Sequence, residues 1–243
     1  MEEYNVIITG ASRGIGRAIA VTLAKNGYNI MLNCKSSQNE LLSLKEELSD
    51  YPVKCEYLIG DVGSHSFAEE LMEYTHKTLG SVNFLINNAG IAHIGLLQDM
   101  TYDEWDNIIR TNLTSVFNMS KLVIPDMLCN KSGKIINISS VWGICGASCE
   151  AAYSASKGAV NSFTKALGKE LAPSNIQVNA IACGAVDTSM NHCFSKEELD
   201  SLCDEIPAGR MAAPDEVADM VLKLLTAPSY LNGEVIKMDG GWI

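Results

Sequence analysis

Short apolar runs alternate with stretches of helical period along the whole chain. Asn5-Val-Ile-Ile-Thr9 is apolar in its middle and flanked by polar residues, the mark of a short strand buried on both faces. The same reading applies to Tyr28–Asn33, Val53–Ile59, Val82–Ile86, Lys134–Ile138, Ile176–Ile181 and Glu234–Met238. Between them the apolar positions recur at helical spacing: Ala18, Ile19 and Leu23 before Asn26-Gly27, then Glu40–Ser49, Ser64–Leu79, Thr101–Met127, Glu150–Ala172, Lys196–Asp204, and Asp215–Leu225 behind Pro214. Thr101 with Glu104 three residues on predicts a capping box for the long helix. Strand–helix alternation of this kind predicts an α/β fold with a doubly wound parallel sheet. No internal repeat, low-complexity tract or linker divides the chain, so residues 1–243 are expected to form a single domain.

The first strand runs into Thr9-Gly-Ala-Ser-Arg-Gly-Ile-Gly16 and then into a helix. Strand, glycine-rich turn and helix is a geometry that cradles a pyrophosphate. Gly10 permits the turn, Gly14 lets backbone approach phosphate, and Gly16 allows close helix–strand packing, with Ser12, Arg13 and Ile15 completing the loop. The spacing is Gly-x-x-x-Gly-x-Gly rather than the commoner Gly-x-Gly-x-x-Gly. At the end of the second strand, where an NAD site places an acid against the ribose hydroxyls, stand Asn33, Cys34, Lys35 and Ser36, with no acid. Lys35, together with Arg13, is suited to a 2′-phosphate, which points to NADP(H). Asp61-Val62 follow the third strand. Asp61 is placed to cap the next helix or to touch adenine, and both roles are compatible. The fourth strand ends in Asn87-Asn88-Ala89-Gly90, small residues that let a flat cofactor pass.

Tyr153 and Lys157 are four apart and share one helix face. A free tyrosine titrates near ~10 and a free lysine near ~10.4. An adjacent ammonium is expected to favour phenolate, lower the Tyr153 pKa and make it a usable general acid or base. Ser140, at a strand end, is placed to bind the oxygen that receives the proton. Asn112 is a poor residue inside a helix, which suggests a side-chain role such as holding a water. Cys183–Arg210 mixes loop with a helical piece after a strand's carboxyl end, where a substrate lid around 185–210 would sit.

Composition narrows the picture. The net charge of −11 argues against nucleic acid as the main partner. No apolar run approaches the ~20 residues of a membrane helix, and the acidic start Met1-Glu-Glu lacks a signal peptide's basic region, so a cytoplasmic protein is expected. The cysteines, Cys183 and Cys193 among them, form no Cys-x-x-Cys pair, and His65, His76, His93 and His192 show no metal spacing, so neither a disulfide frame nor a metal site is expected.

Thr9-Gly-x-x-x-Gly-x-Gly16, Asn87-Asn-Ala-Gly90, Asn112, Ser140 and Tyr153-x-x-x-Lys157, in this order and spacing, resemble the short-chain dehydrogenase/reductase family over the whole chain. The resemblance implies a seven-stranded Rossmann-like sheet, a homotetramer, and hydride transfer between a nicotinamide and a carbonyl or alcohol. It implies that Tyr153 donates the proton, Lys157 lowers its pKa and binds the nicotinamide ribose, Ser140 orients the carbonyl and Asn112 holds a relay water. It also implies that Asn88, Ala89 and Gly90 line the cofactor and that Val186 and Thr188 contact the nicotinamide amide. Cys183-Gly184 stands where the family usually has Pro-Gly.

Within the family, Thr9–Ile19, Pro207-Ala-Gly-Arg210, and Gly233-Glu with Gly240-Gly241 look most like the 3-oxoacyl-acyl-carrier-protein reductases of fatty-acid synthesis. Ile138–Glu150 is similar to a branch linked to elongation factor P, implied to reduce a 5-aminopentanone group on that protein. Lys131 matches one basic docking position of the carrier-protein reductases, whereas Ser174 leaves the other uncharged. Glu150, one turn before Tyr153, would suit a cationic amine at the substrate mouth. A small-molecule or hydroxysteroid alcohol dehydrogenase is a third reading, and a nucleotide-binding protein without turnover belongs to a different class. The intact Asn112, Ser140, Tyr153 and Lys157 set speaks against the last.

Overall fold

The computed structural model describes residues 4–191 and 194–243; His192 and Cys193 lie outside them, as does the acidic start. Seven strands form one sheet: β1 (Asn5–Ile8), β2 (Asn29–Cys34), β3 (Cys55–Ile59), β4 (Phe84–Asn87), β5 (Gly133–Ser140), β6 (Ile176–Cys183) and β7 (Val235–Met238). All pairings are parallel, in the order β3-β2-β1-β4-β5-β6-β7. Strand order reverses between β1 and β4, so their carboxyl ends diverge into a crevice.

Side chains alternate across the sheet and supply two cores. Val6 and Ile8 of β1 face α1 (Gly14–Lys25), α2 (Gln38–Leu48) and α9 (Pro214–Thr226). Ile7 between them faces α3 (His65–Thr78), α5 (Ser115–Asn130) and α7 (Ala151–Leu171). Both sheet faces are therefore covered, which is why the central strands read as continuous apolar runs rather than alternating ones.

The run Thr101–Met127 is not one helix. It divides into α4 (Tyr102–Ile109), a π turn over Arg110–Thr114, and α5. The predicted capping box is present: Glu104 N–H donates to the Thr101 hydroxyl at 3.2 Å, and Thr101 N–H donates to the Glu104 carboxylate at 2.8 Å. The short α6 (Trp142–Cys145) follows β5, and α8 (Lys196–Glu205) lies between β6 and α9. Among the described residues no helix is long and apolar enough to cross a membrane, and no cluster of His, Cys, Asp and Glu could hold a metal ion.

Candidate active site

The glycine loop is built for close approach. Gly10 and Gly14 have φ of +63° and +53°, where a side chain strains the backbone. A Cβ on Gly10 would sit 2.8 Å from the Ala89 Cα, and one on Gly16 would collide with the Gly10 carbonyl. Helix α1 begins at Gly14 without a side-chain cap or a first-turn acid, so its free N–H groups and positive end stay available to an anion. Ser12 is buried and Arg13 and Ile15 flank the opening of the helix. The Thr9 hydroxyl accepts the N–H groups of Asn88 and Ala89, each at 3.0 Å. The Asn88 amide donates to the Gly10 carbonyl at 2.9 Å. These bonds lock the two loops that flank the crevice.

Gly90 continues into the catalytic side of the crevice. A Cβ placed on it would lie 3.4 Å from Asn112 Oδ1 and 3.5 Å from Lys157 Nζ. Thr188 closes the other side: its methyl group would be 3.2 Å from a Cβ on Gly14. Val186 is buried, bridges to Ala212, and accepts from the Asn191 amide at 2.8 Å. Glycines at the crevice wall, an uncapped helix N-terminus beside them and the Lys157 ammonium near Gly90 together fit a phosphate-bearing dinucleotide.

Asn112 sits in the π turn and is buried. Such turns shift the helix register and often mark functional positions. Its Oδ1 accepts the Ile91 N–H at 2.8 Å, and its Nδ2 donates to the Ile91 carbonyl at 2.9 Å and to Ser156 Oγ at 3.0 Å. The side chain is thus engaged with protein and clamps the strand-β4 loop to α7. A side-chain role for Asn112 is what its poor helix propensity suggested, and these three bonds give it one.

Ser140 ends β5, beside Cys183 in the register. Its Oγ accepts the Trp142 backbone N–H at 3.2 Å, and the hydroxyl lies near enough to the Tyr153 phenol to act against the rise in its pKa. Lys157 is buried and donates from Nζ to the Ile138 carbonyl at 2.8 Å; its ammonium lies 5.7 Å from the centre of the Tyr153 ring. Burial brings its pKa down to about 8, against a raising influence of Cys183. Burial likewise pushes the Cys183 thiol up to about 12, with Lys157 opposing.

The expected lowering of the Tyr153 pKa is overturned for the chain by itself. Burial raises it, the Ser140 hydroxyl opposes, and Cys183 and Glu150 add to the rise. Spacing put the ammonium nearby, but Lys157 is turned to the Ile138 carbonyl, and burial sets the direction of the shift. The phenol therefore stands as a neutral donor.

Two further expectations change. Lys35 is not free to await a phosphate: its ammonium pairs with Asp61 at 3.0 Å, and Arg110 of the π turn reaches the same carboxylate at 3.4 Å. Burial works against the Asp61 charge, but Lys35, the Gly63 N–H and Arg110 together hold its pKa below the usual range. Asp61 also does not cap α3, whose cap position is Ser64; it accepts the Gly63 N–H at 2.9 Å in the preceding turn, beside buried Val62. Lys131 and Ser174 lie at the amino ends of β5 and β6, where the Asn175 amide donates to the Lys131 carbonyl at 3.1 Å. That is a strand length, on the order of 20 Å, from Ser140. Sequence reasoning missed Thr9, Ile91 and Ser156 as organisers of the site. Only Thr9, within the glycine motif, carried a signal, since the other two act through backbone or at long range.

A family model described as short chain dehydrogenase matches residues 4–199. Uncharacterized oxidoreductase YmfI of Bacillus subtilis is 42% identical over 238 residues, covering 97% of both chains. The 3-oxoacyl-[acyl-carrier-protein] reductase FabG of Thermotoga maritima is 37% identical over 238 residues, covering 98% of this chain and 96% of its own. The crystal structure of a variant of actinorhodin polyketide ketoreductase with NADPH superposes with a TM-score of 0.93 at 34% identity, over 99% of this chain and 97% of that one. Motif order, sheet topology and these likenesses agree: the chain belongs to the short-chain dehydrogenase family of oxidoreductases.

Proposed function

We propose that this chain is an NADPH-dependent ketoreductase that works as one domain over residues 1–243, with 3-oxoacyl-[acyl-carrier-protein] as its first substrate reading. The observation that carries the chemistry is the convergence of Ser140, Tyr153 and Lys157 beside Gly90, with Asn112 clamping the adjoining loop. Bound NADPH supplies the hydride. The glycine loop and the α1 N-terminus hold its phosphates. Arg13 flanks the 2′-phosphate, and Lys35 turns from Asp61 to meet it. Lys157 would hold the nicotinamide ribose, and Val186 and Thr188 would meet the amide. Asp61 and Val62 border the adenine. Ser140 donates to the substrate carbonyl oxygen, and Tyr153 delivers its hydroxyl proton to the alkoxide as it forms. The phenol carries its proton at neutral pH, as a donor must, although burial makes it a weaker acid than a free tyrosine. A proton relay past Asn112 and Lys157 restores it.

A second reading, a ketone that carries a cationic amine, such as 5-aminopentanone on elongation factor P, is favoured by charge at the mouth. Glu150 is half-buried one helical turn before Tyr153. Helix α8 of the lid carries Glu197, Glu198, Asp200, Asp204 and Glu205 against Lys196 alone. It borders a hollow of about 410 Å³ lined by Phe194 and Leu202 among these acids. Such a lid repels an acidic carrier and attracts a basic group. A hydroxysteroid or other small-molecule alcohol has no such support. The further proposal of a cytoplasmic homotetramer draws support only for self-association, from the apolar side chains Phe117 and Leu128 left exposed on α5.

The test is NADPH oxidation with a 3-oxoacyl thioester and with an aminoketone, NADH being run beside both. Turnover of the thioester alone supports the first reading, and preference for the aminoketone supports the second. Turnover of neither, with NADPH bound, sinks both.

A further inference from the structure

We infer that the C-terminal segment Asp239–Ile243 is part of the active-site wall, and that Trp242 is a positioning residue acting through Trp142. The inference rests on the ketoreductase reading above. The segment is folded back on itself rather than trailing. The Asp239 carboxylate accepts the N–H groups of Gly241 at 3.0 Å and Ile243 at 3.1 Å, and Lys237 pairs with it at 3.7 Å while also donating to the Ile243 carbonyl. The Asp239 side chain is only 7% exposed.

The folded tail joins three parts of the site. The Gly240 carbonyl accepts the Ala208 N–H at 3.1 Å, which ties it to the lid. A Cβ on Gly184 would lie 2.8 Å from the Asp239 Cα, so the tail rests on the exit of β6. Trp242 packs edge-on against Trp142, with ring centres 4.7 Å apart and planes at 60°. Such a pair contributes beyond simple burial.

Trp142 is held at its backbone and against Trp242. Its backbone N–H goes to the catalytic Ser140 hydroxyl at 3.2 Å, and its side chain lies beside Glu150, where it opposes the rise in the carboxyl pKa that burial causes. Removing Trp242 frees the indole on its open side. The ring then loses its orientation toward Glu150, and the wall next to Ser140 loosens without any change at the phosphate cradle, on the far side of the crevice.

The test compares wild type, Trp242→Ala and Trp242→Phe. With the N-acetylcysteamine thioester of a 3-oxo acid, Trp242→Ala should raise KM about tenfold with kcat within about threefold, while Trp242→Phe stays near wild type. NADPH affinity should not move in either. Indole N–H signals, assigned by replacing Trp105, Trp142 and Trp242 in turn with Phe, give a readout independent of turnover. The Trp142 signal should shift in Glu150→Gln and lose exchange protection in Trp242→Ala. An unmoved Trp142 signal in Trp242→Ala overturns the inference. So does an unchanged KM with a falling active fraction, the mark of a merely structural tail. If wild type leaves the thioester untouched, the substrate reading fails, and the indole signals still decide the role of Trp242.

Discussion

Asn112 and Ile91 exchange two hydrogen bonds, the side-chain oxygen taking the backbone N–H at 2.8 Å and the side-chain nitrogen giving to the carbonyl at 2.9 Å. An amide side chain thereby acts as a strand neighbour to the segment that leaves β4. Only a π turn places it there, because a regular helix over Thr101–Met127 would carry residue 112 at another angle. Replacing Asn112 with Ala leaves the Ile91 groups and Ser156 without these partners. We expect a loss of about 1–3 kcal/mol in stability, together with a large loss of turnover as the loop beside Gly90 moves. Denaturant unfolding and initial rates, measured on the same preparation, check both.

Tyr153→Phe removes the proton donor and keeps the ring. Turnover should fall by at least about a hundredfold, the range of general acid catalysis, and NADPH affinity should stay within about twofold, since the phenol makes no contact with the phosphate cradle. Near-normal turnover in this variant would assign the proton to another group.

Lys157 makes a pH-dependent contribution whose sign follows from its burial. Its pKa is brought to about 8 in the folded chain, below the value of about 10.4 for an unfolded lysine. Between these values the unfolded chain binds the extra proton, so stability rises with pH across that window. Below it the buried ammonium is a burden. Lys157→Met should therefore melt higher than wild type near pH 7, lose that advantage as pH climbs through the window, and lose turnover. Parallel melting curves of the cofactor-free proteins at several pH values would reveal a flat difference if the sign were wrong.

The sheet was legible because the central strands are compact apolar runs and each strand before the last is followed by a stretch of helical period. The convergence of Gly90, Asn112 and Lys157 was legible through motif order. Three features were not. A π turn adds a shift in register that apolar spacing across Thr101–Met127 does not record. The direction of the Tyr153 shift depends on the balance of burial against charge, and spacing gives only the charge. The partner of Lys35 is Asp61, beyond another strand, so a local reading saw a free cation.

That ion pair leads to a prediction on cofactor choice. Lys35 keeps 51% of its side chain exposed while paired with Asp61 at 3.0 Å, so it can turn to a 2′-phosphate without unfolding its surroundings. The pair itself is worth little at a screened surface, whereas a charge-assisted bond to phosphate is among the stronger polar contacts. Lys35→Ala should weaken NADPH by about tenfold and leave NADH nearly unchanged, since NADH lacks the group that the lysine would meet. Asp61→Asn releases the lysine but also removes a partner of Arg110, so it should favour NADPH only if the π turn keeps its place. Its Asp61 Oδ1 contact to the Gly63 N–H survives as an amide oxygen, which protects the turn. Titrating both nucleotides against wild type, Lys35→Ala and Asp61→Asn separates these effects. Equal weakening of NADPH and NADH by Lys35→Ala would mean that the lysine supports the site through Asp61 and does not read the phosphate.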